Sequence, residues 1–471
     1  MMHEPDDSGT RGRGADHTTA HRRAADHTTA HRRAADRANA PEAALDALLR
    51  GAWVDPDDGA ALGVAIDAIV IERSLAGEEA GRVAALRLGR RLAIVSDAVT
   101  HDVLGARIER ALRTIARVDS VVLPAHPHAD VPTVDAVRAG SASADALIAV
   151  GSGTLNDLAK FAAAQDGKPY AVFATAPSMN GYTSANAAIT VDGHKKTLPA
   201  TLARGVFVDL AILAAAPPRM IRAGLGDSLC RPTAQVDWLL SHHALGTPYR
   251  SAPFALLAAN EPLLFAAPEA LLAGDLDAMR ALAHTLVLSG IGMTLCGSSA
   301  PASQGEHLIS HYVDMRTPSG RAPYLHGEQV AVATLTMARL QESLLDAPPP
   351  VLRASIVDAD ALRTHFGADV GAQCWQEFAP KRLTREGAAQ LTARLATTWE
   401  RLRRDAAAAR VAADRLGDIM RRIGGPRGAS DIGLEPPFYA EAVRHARFLR
   451  NRYTFLDLAA DAGVLDAHLA A

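Results

Sequence analysis

The chain has 471 residues, of which 48% are hydrophobic, and its formal net charge is −3. That length exceeds what one ordinary core serves, so two domains are expected, and the composition excludes a disordered chain. The near-neutral charge excludes a global electrostatic footprint for nucleic acid or an anionic membrane.

In chain order, the first segment, Met1 to Thr10, carries acids where a signal peptide needs positive charge ahead of an apolar core. Residues 15–34 then repeat ADHTTAHRRA almost perfectly. So polar a unit buries no core, and residues 1–45 are expected to form a low-complexity extension. Its His17, His21, His27 and His31 are ligand-type residues, although a duplicated tract explains them equally well. From Ile66 short apolar runs alternate with amphipathic stretches. Strands are expected at Ile66–Ile71, Leu92–Val95, Ser120–Leu123, Leu147–Val150, Tyr170–Ala174 and Val206–Val208, with helices between them such as Val103–Ile115 and Leu155–Ala164. This alternation predicts βαβ units and a mostly parallel sheet. After Asp209 the strands stop, and Ala, Leu and Arg recur at helical spacing. Trp399–Arg422 reads as one long helix. The expected architecture is therefore an α/β Rossmann-like domain over 46–214 followed by an all-α domain over 215–471, with the ligand cleft between them. No window shows the long uncharged apolar run of a membrane span. Cys230, Cys296 and Cys374 lack CxxC spacing, which argues against a disulfide framework and a cysteine-built zinc site and suits a reducing, cytoplasmic compartment.

Four groups of residues carry chemistry. Leu147 to Lys160 reads as buried strand, Gly151-Ser152-Gly153 turn and helix start, an arrangement that brings backbone N–H groups to a pyrophosphate. Asn156 stands where a third glycine would complete the dinucleotide pattern, and strand–glycine–helix turns also occur without nucleotides. Asp97 ends an earlier strand. There a carboxylate either accepts hydrogen bonds from a ribose and repels a 2′-phosphate, or caps the next helix. Farther on, Asp227 sits in Gly-Leu-Gly-Asp-Ser-Leu, His307 and His311 stand four apart, and His326 follows a proline-rich break. Two imidazoles and a carboxylate make a three-ligand set with an open position, though histidines at this spacing are also ordinary packing residues and H-E-x-x-H is absent. Finally, His194-Lys195-Lys196-Thr197 offers cations for a phosphate, with Arg231 as a competitor and simple solvation as the plain alternative. Trp238, His242 and His243 read as core or interface residues, and Cys230 as a small packed one.

The runs Gly151–Lys160, Thr175–Ser184, Ala223–Leu229 and Arg452–Ala459 together resemble the sn-glycerol-1-phosphate dehydrogenase family, which stands with glycerol dehydrogenases, iron-containing alcohol dehydrogenases and 3-dehydroquinate synthases. The resemblance implies a dehydroquinate synthase-like architecture and NAD(P)H-linked reduction of dihydroxyacetone phosphate to sn-glycerol 1-phosphate or a close polyol analogue. It implies Asp97, Gly151, Ser152, Gly153, Asp157, Thr175 and Ser178 as cofactor contacts, with NAD preferred over NADP. It assigns a metal to Asp227, His307 and His326 and places His311 against the substrate. Iron-type relatives carry a fourth ligand where this chain has Arg231, so zinc is expected ahead of nickel or iron. Many relatives carry Asp where this chain has Asn180, a residue that hydrogen-bonds a substrate hydroxyl but bears no charge. The implied partner is a small phosphorylated polyol or ketone, with no nucleic acid, and a homo-oligomer stays open. A sugar-phosphate cyclase of the dehydroquinate synthase kind and a nucleotide-binding protein with a decayed site are the rival readings.

Overall fold

The computed structural model describes residue 1 and residues 42–191, 194–317 and 324–470. The tandem repeat with its histidines lies outside the described residues, as do 318–323. Six parallel strands form the central sheet: β1 (Ala68–Glu72), β2 (Arg91–Asp97), β3 (Arg117–Leu123), β4 (Ala146–Gly151), β5 (Tyr170–Ala174) and β8 (Gly205–Asp209), in the order β1-β8-β5-β4-β2-β3. All six expected strands are present. Each inner strand reads as a continuous apolar run because helices cover both faces of a parallel sheet. Every residue of β4 and β5 is buried.

An antiparallel hairpin, β6 (Asn186–Val191) and β7 (His194–Pro199), was not anticipated. Its signal is in the sequence: Asp-Gly at 192–193 between alternating apolar residues is a strong short-range hairpin cue. The lysine pair stands within β7, close after the Asp-Gly pair.

Beyond β8 the described chain is helical. The principal helices are α2 (Pro218–Ser228), α3 (Arg231–Leu245), α4 (Leu276–Leu295), α5 (Gly305–Arg316) and α6 (His326–Asp346), preceded in the α/β half by α1 (Gly153–Gln165). The single helix expected over Trp399–Arg422 is instead two, α7 (Arg385–Ala409) and α8 (Ala413–Arg422), separated where Arg410 and Ala412 turn extended. No glycine or proline causes the break. Trp399, Leu402 and Ala406 pack into a core confined to the helical half, whereas Leu416, Ile419 and Met420 pack into one shared with the α/β half. One straight helix cannot serve both, and the Glu342 carboxylate accepts the Ala413 N–H exposed at the restart.

That shared core joins Leu158, Val172 and Val208 of the α/β half to Leu282, Leu286 and Leu335 of the helical half. Helix α4 runs through it. Against the expectation that no window is apolar enough, α4 is long and apolar enough to cross a membrane, but 72% of its most apolar window is buried inside the protein. It is an interior helix, and interior helices are apolar all round.

Candidate active site between the sheet and the helices

The chain passes from β3 over β2 to β4, so the direction of strand addition reverses between β2 and β4. Ligands of open α/β sheets bind at such a reversal, beyond the carboxyl ends of the strands. Both neighbouring strand ends carry the residues singled out from sequence: Asp97 closes β2 and Gly151 closes β4. A Cβ on Gly151 would lie 2.3 Å from Leu155 Cδ1, so the turn admits no side chain there. Ser152 precedes α1 without a side-chain cap, which leaves the first N–H groups of the helix for a ligand. Asn156, at the missing-glycine position, is wholly buried, its amide directed to Asp157 and the Gly181 carbonyl. Asp97 does cap the following turn, accepting from Thr100 N at 2.7 Å and Thr100 Oγ1 at 2.9 Å, and it is buried. Thr175 is buried and donates its N–H to the Gly151 carbonyl at 3.1 Å, tying β5 to the turn. Asp157 accepts from Ala188 N and faces the buried Lys160, whose ammonium holds the Gly181 and Asn186 carbonyls.

A cleft of about 300 Å3 opens beside this turn. Ser152, Gly153, Asp157 and Ser178 line it from the α/β half; His307, His311 and His326 line it from the helices. Asn180 lines it too, donating its backbone N–H to Asp227 Oδ2 at 3.1 Å and its side-chain amide to Ser289 Oγ.

Helix–backbone packing of unusual closeness delivers Asp227. In the Ala223-Gly-Leu-Gly-Asp227 run, a Cβ on Gly224 would meet the Pro177 carbonyl oxygen at 1.5 Å, and one on Gly226 the Gly327 carbonyl oxygen at 2.4 Å. Gly327 returns the approach: its Cβ would lie 1.9 Å from the Ala223 carbonyl oxygen. The glycines therefore exist to let α2 touch both the Thr175–Ser184 loop and the start of α6. That contact sets Asp227 Oδ1 3.6 Å from His307 Nε2 and 4.0 Å from His326 Nε2. The three ligand atoms all lie within 4.8 Å of one another.

This donor set fits a divalent cation. Ligand atoms around a tetrahedral ion at ~2.1 Å stand ~3.4 Å apart, close to the separations present. Asp227 is 1% exposed, and among the described residues its Oδ1 has no hydrogen-bond partner, a costly state for a lone buried carboxylate oxygen. Both imidazoles are oriented from behind. Glu306 Oε1 lies 2.9 Å from His307 Nδ1, and Ser310 Oγ, which donates to Gln329, lies 3.2 Å from His326 Nδ1. Each Nδ1 is thus directed to an acceptor and each Nε2 faces Asp227, the arrangement typical of metal-ligating histidines. Burial alone would raise the Asp227 pKa; the His307 imidazole beside it, the charge of His326 and the Asn180 N–H outweigh it and hold the group below its ordinary value. Burial would lower the His307 pKa, but the neighbouring Asp227, Cys230 and Glu306 outweigh it and hold the group well above the imidazole range.

Cys230 is closer to this centre than a packing residue need be. With Glu306 and His307 it forms a second group of ligand atoms within 4.8 Å. Its thiol donates to the Asp227 carbonyl at 3.0 Å, and burial pushes its pKa up to about 12. Trp238, His242 and His243 are structural: Trp238 Nε1 donates to the Pro248 carbonyl, His242 meets the Thr247 carbonyl and His243 pairs with Asp405.

Of the cations chosen from sequence, Arg231 and Lys196 do not line the cleft. Arg231 is bound to Glu261 and Gln235, and burial brings its pKa down to about 10; it borders a small inner cavity behind Asn180 and Asp227. Lys196 is not among the cleft-lining residues but its neighbour Thr197 is, because side chains alternate along β7. The Lys195 side chain lies outside the described part. Sequence reasoning missed Arg450, which lines the cleft from the C-terminal part of the chain, and the second layer formed by Glu306 and Ser310. Glu306 was legible only as the neighbour of a candidate ligand.

The fold and the site define a class, that of two-part proteins of the iron-containing alcohol dehydrogenase type. The family model described as iron-containing alcohol dehydrogenase matches residues 70–217. A probable glycerol dehydrogenase from Sinorhizobium meliloti shares the fold with a TM-score of 0.55 and 20% identity, over 86% of this chain and 98% of that one. A glycerol-1-phosphate dehydrogenase [NAD(P)+] of Bacillus licheniformis is 30% identical over 382 residues, 80% of this chain and 84% of its own length. The Pyrococcus furiosus enzyme of the same name is 32% identical over 272 residues, 58% of this chain and 78% of its own. The chain belongs to the glycerol-1-phosphate dehydrogenase family.

Proposed function

We propose that the chain is a metal-dependent NAD(P)H-linked dehydrogenase that reduces dihydroxyacetone phosphate to sn-glycerol 1-phosphate. The observation that carries this reading is the convergence of Asp227, His307 and His326 within 4.8 Å of one another, at a cleft that the Gly151 turn also borders. The names of the Bacillus and Pyrococcus relatives, both glycerol-1-phosphate dehydrogenases, support it. We assign residues 46–214 to the dinucleotide-binding part and 215–471 to the metal and substrate part.

In this reading Gly151, Ser152 and Gly153 with the α1 N-terminus receive the pyrophosphate, and Asp97 accepts the adenosine ribose hydroxyls and disfavours a 2′-phosphate. Asp157, Thr175 and Ser178 shape the same wall. Asp227, His307 and His326 hold the cation, and three protein ligands with a fourth position open match catalytic zinc, with nickel and iron as alternatives. When bound, the nicotinamide supplies the hydride and the cation supplies Lewis acidity toward the carbonyl oxygen. Asn180 directs its amide to Ser289, so its side-chain oxygen is the atom that accepts a substrate hydroxyl. His311, on the cleft wall beside the two ligand histidines, passes the proton between solvent and the substrate oxygen through its imidazole nitrogen.

The test is stoichiometric NADH oxidation by protein reconstituted separately with zinc, nickel and iron, using dihydroxyacetone phosphate, with the product's chirality determined. Equimolar sn-glycerol 1-phosphate is expected. Turnover of the ketone without net NADH consumption would instead indicate a cyclase-type reaction.

A further inference from the structure

Among the described residues that line the cleft, Arg450 is the one lysine or arginine. Its guanidinium donates to Thr197 Oγ1 at 2.9 Å, a bond from the helical half to the β6–β7 hairpin. Among the described residues it forms no ion pair. Burial brings the Arg450 pKa down, and the charge of Glu377, which accepts the Asn451 N–H at 2.7 Å, offsets only part of that.

Arg450 sits on an anchored segment. Two residues on, the Arg452 guanidinium is held by the Ser303 carbonyl and, at 2.7 Å, by Ser299 Oγ, both residues of the cleft wall. Thr454 then caps the next helix through Asp457, and Phe455 N donates to Asp237. A guanidinium fixed on such a segment loses little freedom when it binds. A partly desolvated cation without a carboxylate is costly unless an anion meets it, and a neutral ketone or polyol supplies none.

We propose that Arg450, braced by Thr197, receives the phosphate end of the substrate and sets the preference for a phosphorylated ketone over its unphosphorylated counterpart. This rests on the reductase reading above and deepens it. The chemistry recognised is a phosphate monoester dianion, bound by charge-assisted hydrogen bonds from the guanidinium and by the Thr197 hydroxyl. It also explains why neither Lys196 nor Arg231 need reach the cleft.

The experiment compares wild type with Arg450→Gln, Arg450→Lys and Thr197→Val, each full-length and loaded with metal. The first readout is the ratio of kcat/KM for dihydroxyacetone phosphate to that for dihydroxyacetone. That ratio is expected to fall ~10- to 100-fold in Arg450→Gln and less in Arg450→Lys, the range of one charged hydrogen-bonding partner. Inorganic phosphate, titrated calorimetrically, should bind wild type and lose at least ~10-fold in Arg450→Gln. An unchanged ratio with unchanged phosphate affinity overturns the proposal. So does a loss confined to NADH affinity, which would give the guanidinium to the cofactor. Should wild type reduce no ketone phosphate, the reductase reading fails while the phosphate titration still decides the subsite. If Arg450→Gln does not fold, Arg450→Lys and Thr197→Val carry the same comparison.

Discussion

At the carboxyl end of an inner strand one unbroken segment, Leu147 to Lys160, makes strand, turn and helix start in succession, and the atoms it offers a ligand are mostly backbone. Across the cleft the three groups around Asp227 come from α2, α5 and α6, and they meet only because glycines on α2 and α6 let backbones touch. The first half of the site is a local conformation. The second is a packing result, and packing results fail all at once when one contact is filled. The two halves should therefore answer mutation differently.

The largest contrast is chemical. Replacing His307 by Ala is expected to remove bound metal, measured by elemental analysis, and to lower kcat/KM for dihydroxyacetone phosphate by ~1,000-fold or more, a loss of ~4 kcal/mol of transition-state stabilisation. Activity retained by chelator-treated wild-type protein would break the metal half outright.

Next comes a pair of glycine variants. Gly224→Ala drives a methyl into the Pro177 carbonyl, a backbone atom that cannot turn aside, so a stability loss of ~3 kcal/mol or more is expected together with weakened metal binding. Gly151→Ala meets the Leu155 side chain, whose Cδ1 can rotate away but whose Cβ at 2.5 Å cannot, so a loss of ~2 kcal/mol, smaller than at Gly224, and a raised NADH Kd are expected instead. Urea midpoints and metal content measured on both variants test the contrast. Equal behaviour would mean that the two halves are not built differently.

The seam between them can be loaded by pH. His284 lies in α4, is 3% exposed, and has an Nδ1 without a hydrogen-bond partner among the described residues. Burial, with the charge of Arg280 adding, depresses its pKa to about 4. The unfolded chain binds that proton below about 6.5 while the folded chain stays neutral down to about 4, so folding loses stability as pH falls through this window and gains nothing above it. The full effect is on the order of 3 kcal/mol. Urea midpoints at pH 7 and pH 5 should show a smaller acid loss in His284→Leu than in wild type.

The smallest effect separates the two roles of Asp97. Asp97→Asn keeps a capping side chain for the Thr100 N–H but removes the negative charge, so stability should change by well under ~1 kcal/mol. The ratio of kcat/KM for NADPH to that for NADH should rise ~10-fold. An unchanged ratio would leave Asp97 as a helix cap alone.

Much of this was legible beforehand, for identifiable reasons. The sheet strands are apolar runs of the right length, and the Gly151 turn is contiguous, so both could be read without a partner in view. The triad was visible as residue types in odd settings, Asp227 between glycines and His326 after a break. The α7–α8 break was not legible, because nothing at Arg410 to Ala412 marks a stop; two cores lying on different sides of the chain cause it. That Lys196 and Arg231 stay off the cleft wall was not legible for a related reason. Lys196 was singled out for its charge, but strand alternation presents Thr197 instead, and Arg231 is drawn to Glu261 on a neighbouring helix.

The primary chain by itself determined the alternation of strand and helix, the glycine turn and the inventory of ligand-type side chains, since these follow from local conformational preference and residue chemistry. Tertiary structure alone decided which inventory members face one another: Asp227 with His307 and His326, Glu306 behind His307, and Arg450 with Thr197. Those pairings depend on how closely helix backbones approach and which side of a strand faces the cleft. Such distances are set by packing across hundreds of residues and are encoded at no single position.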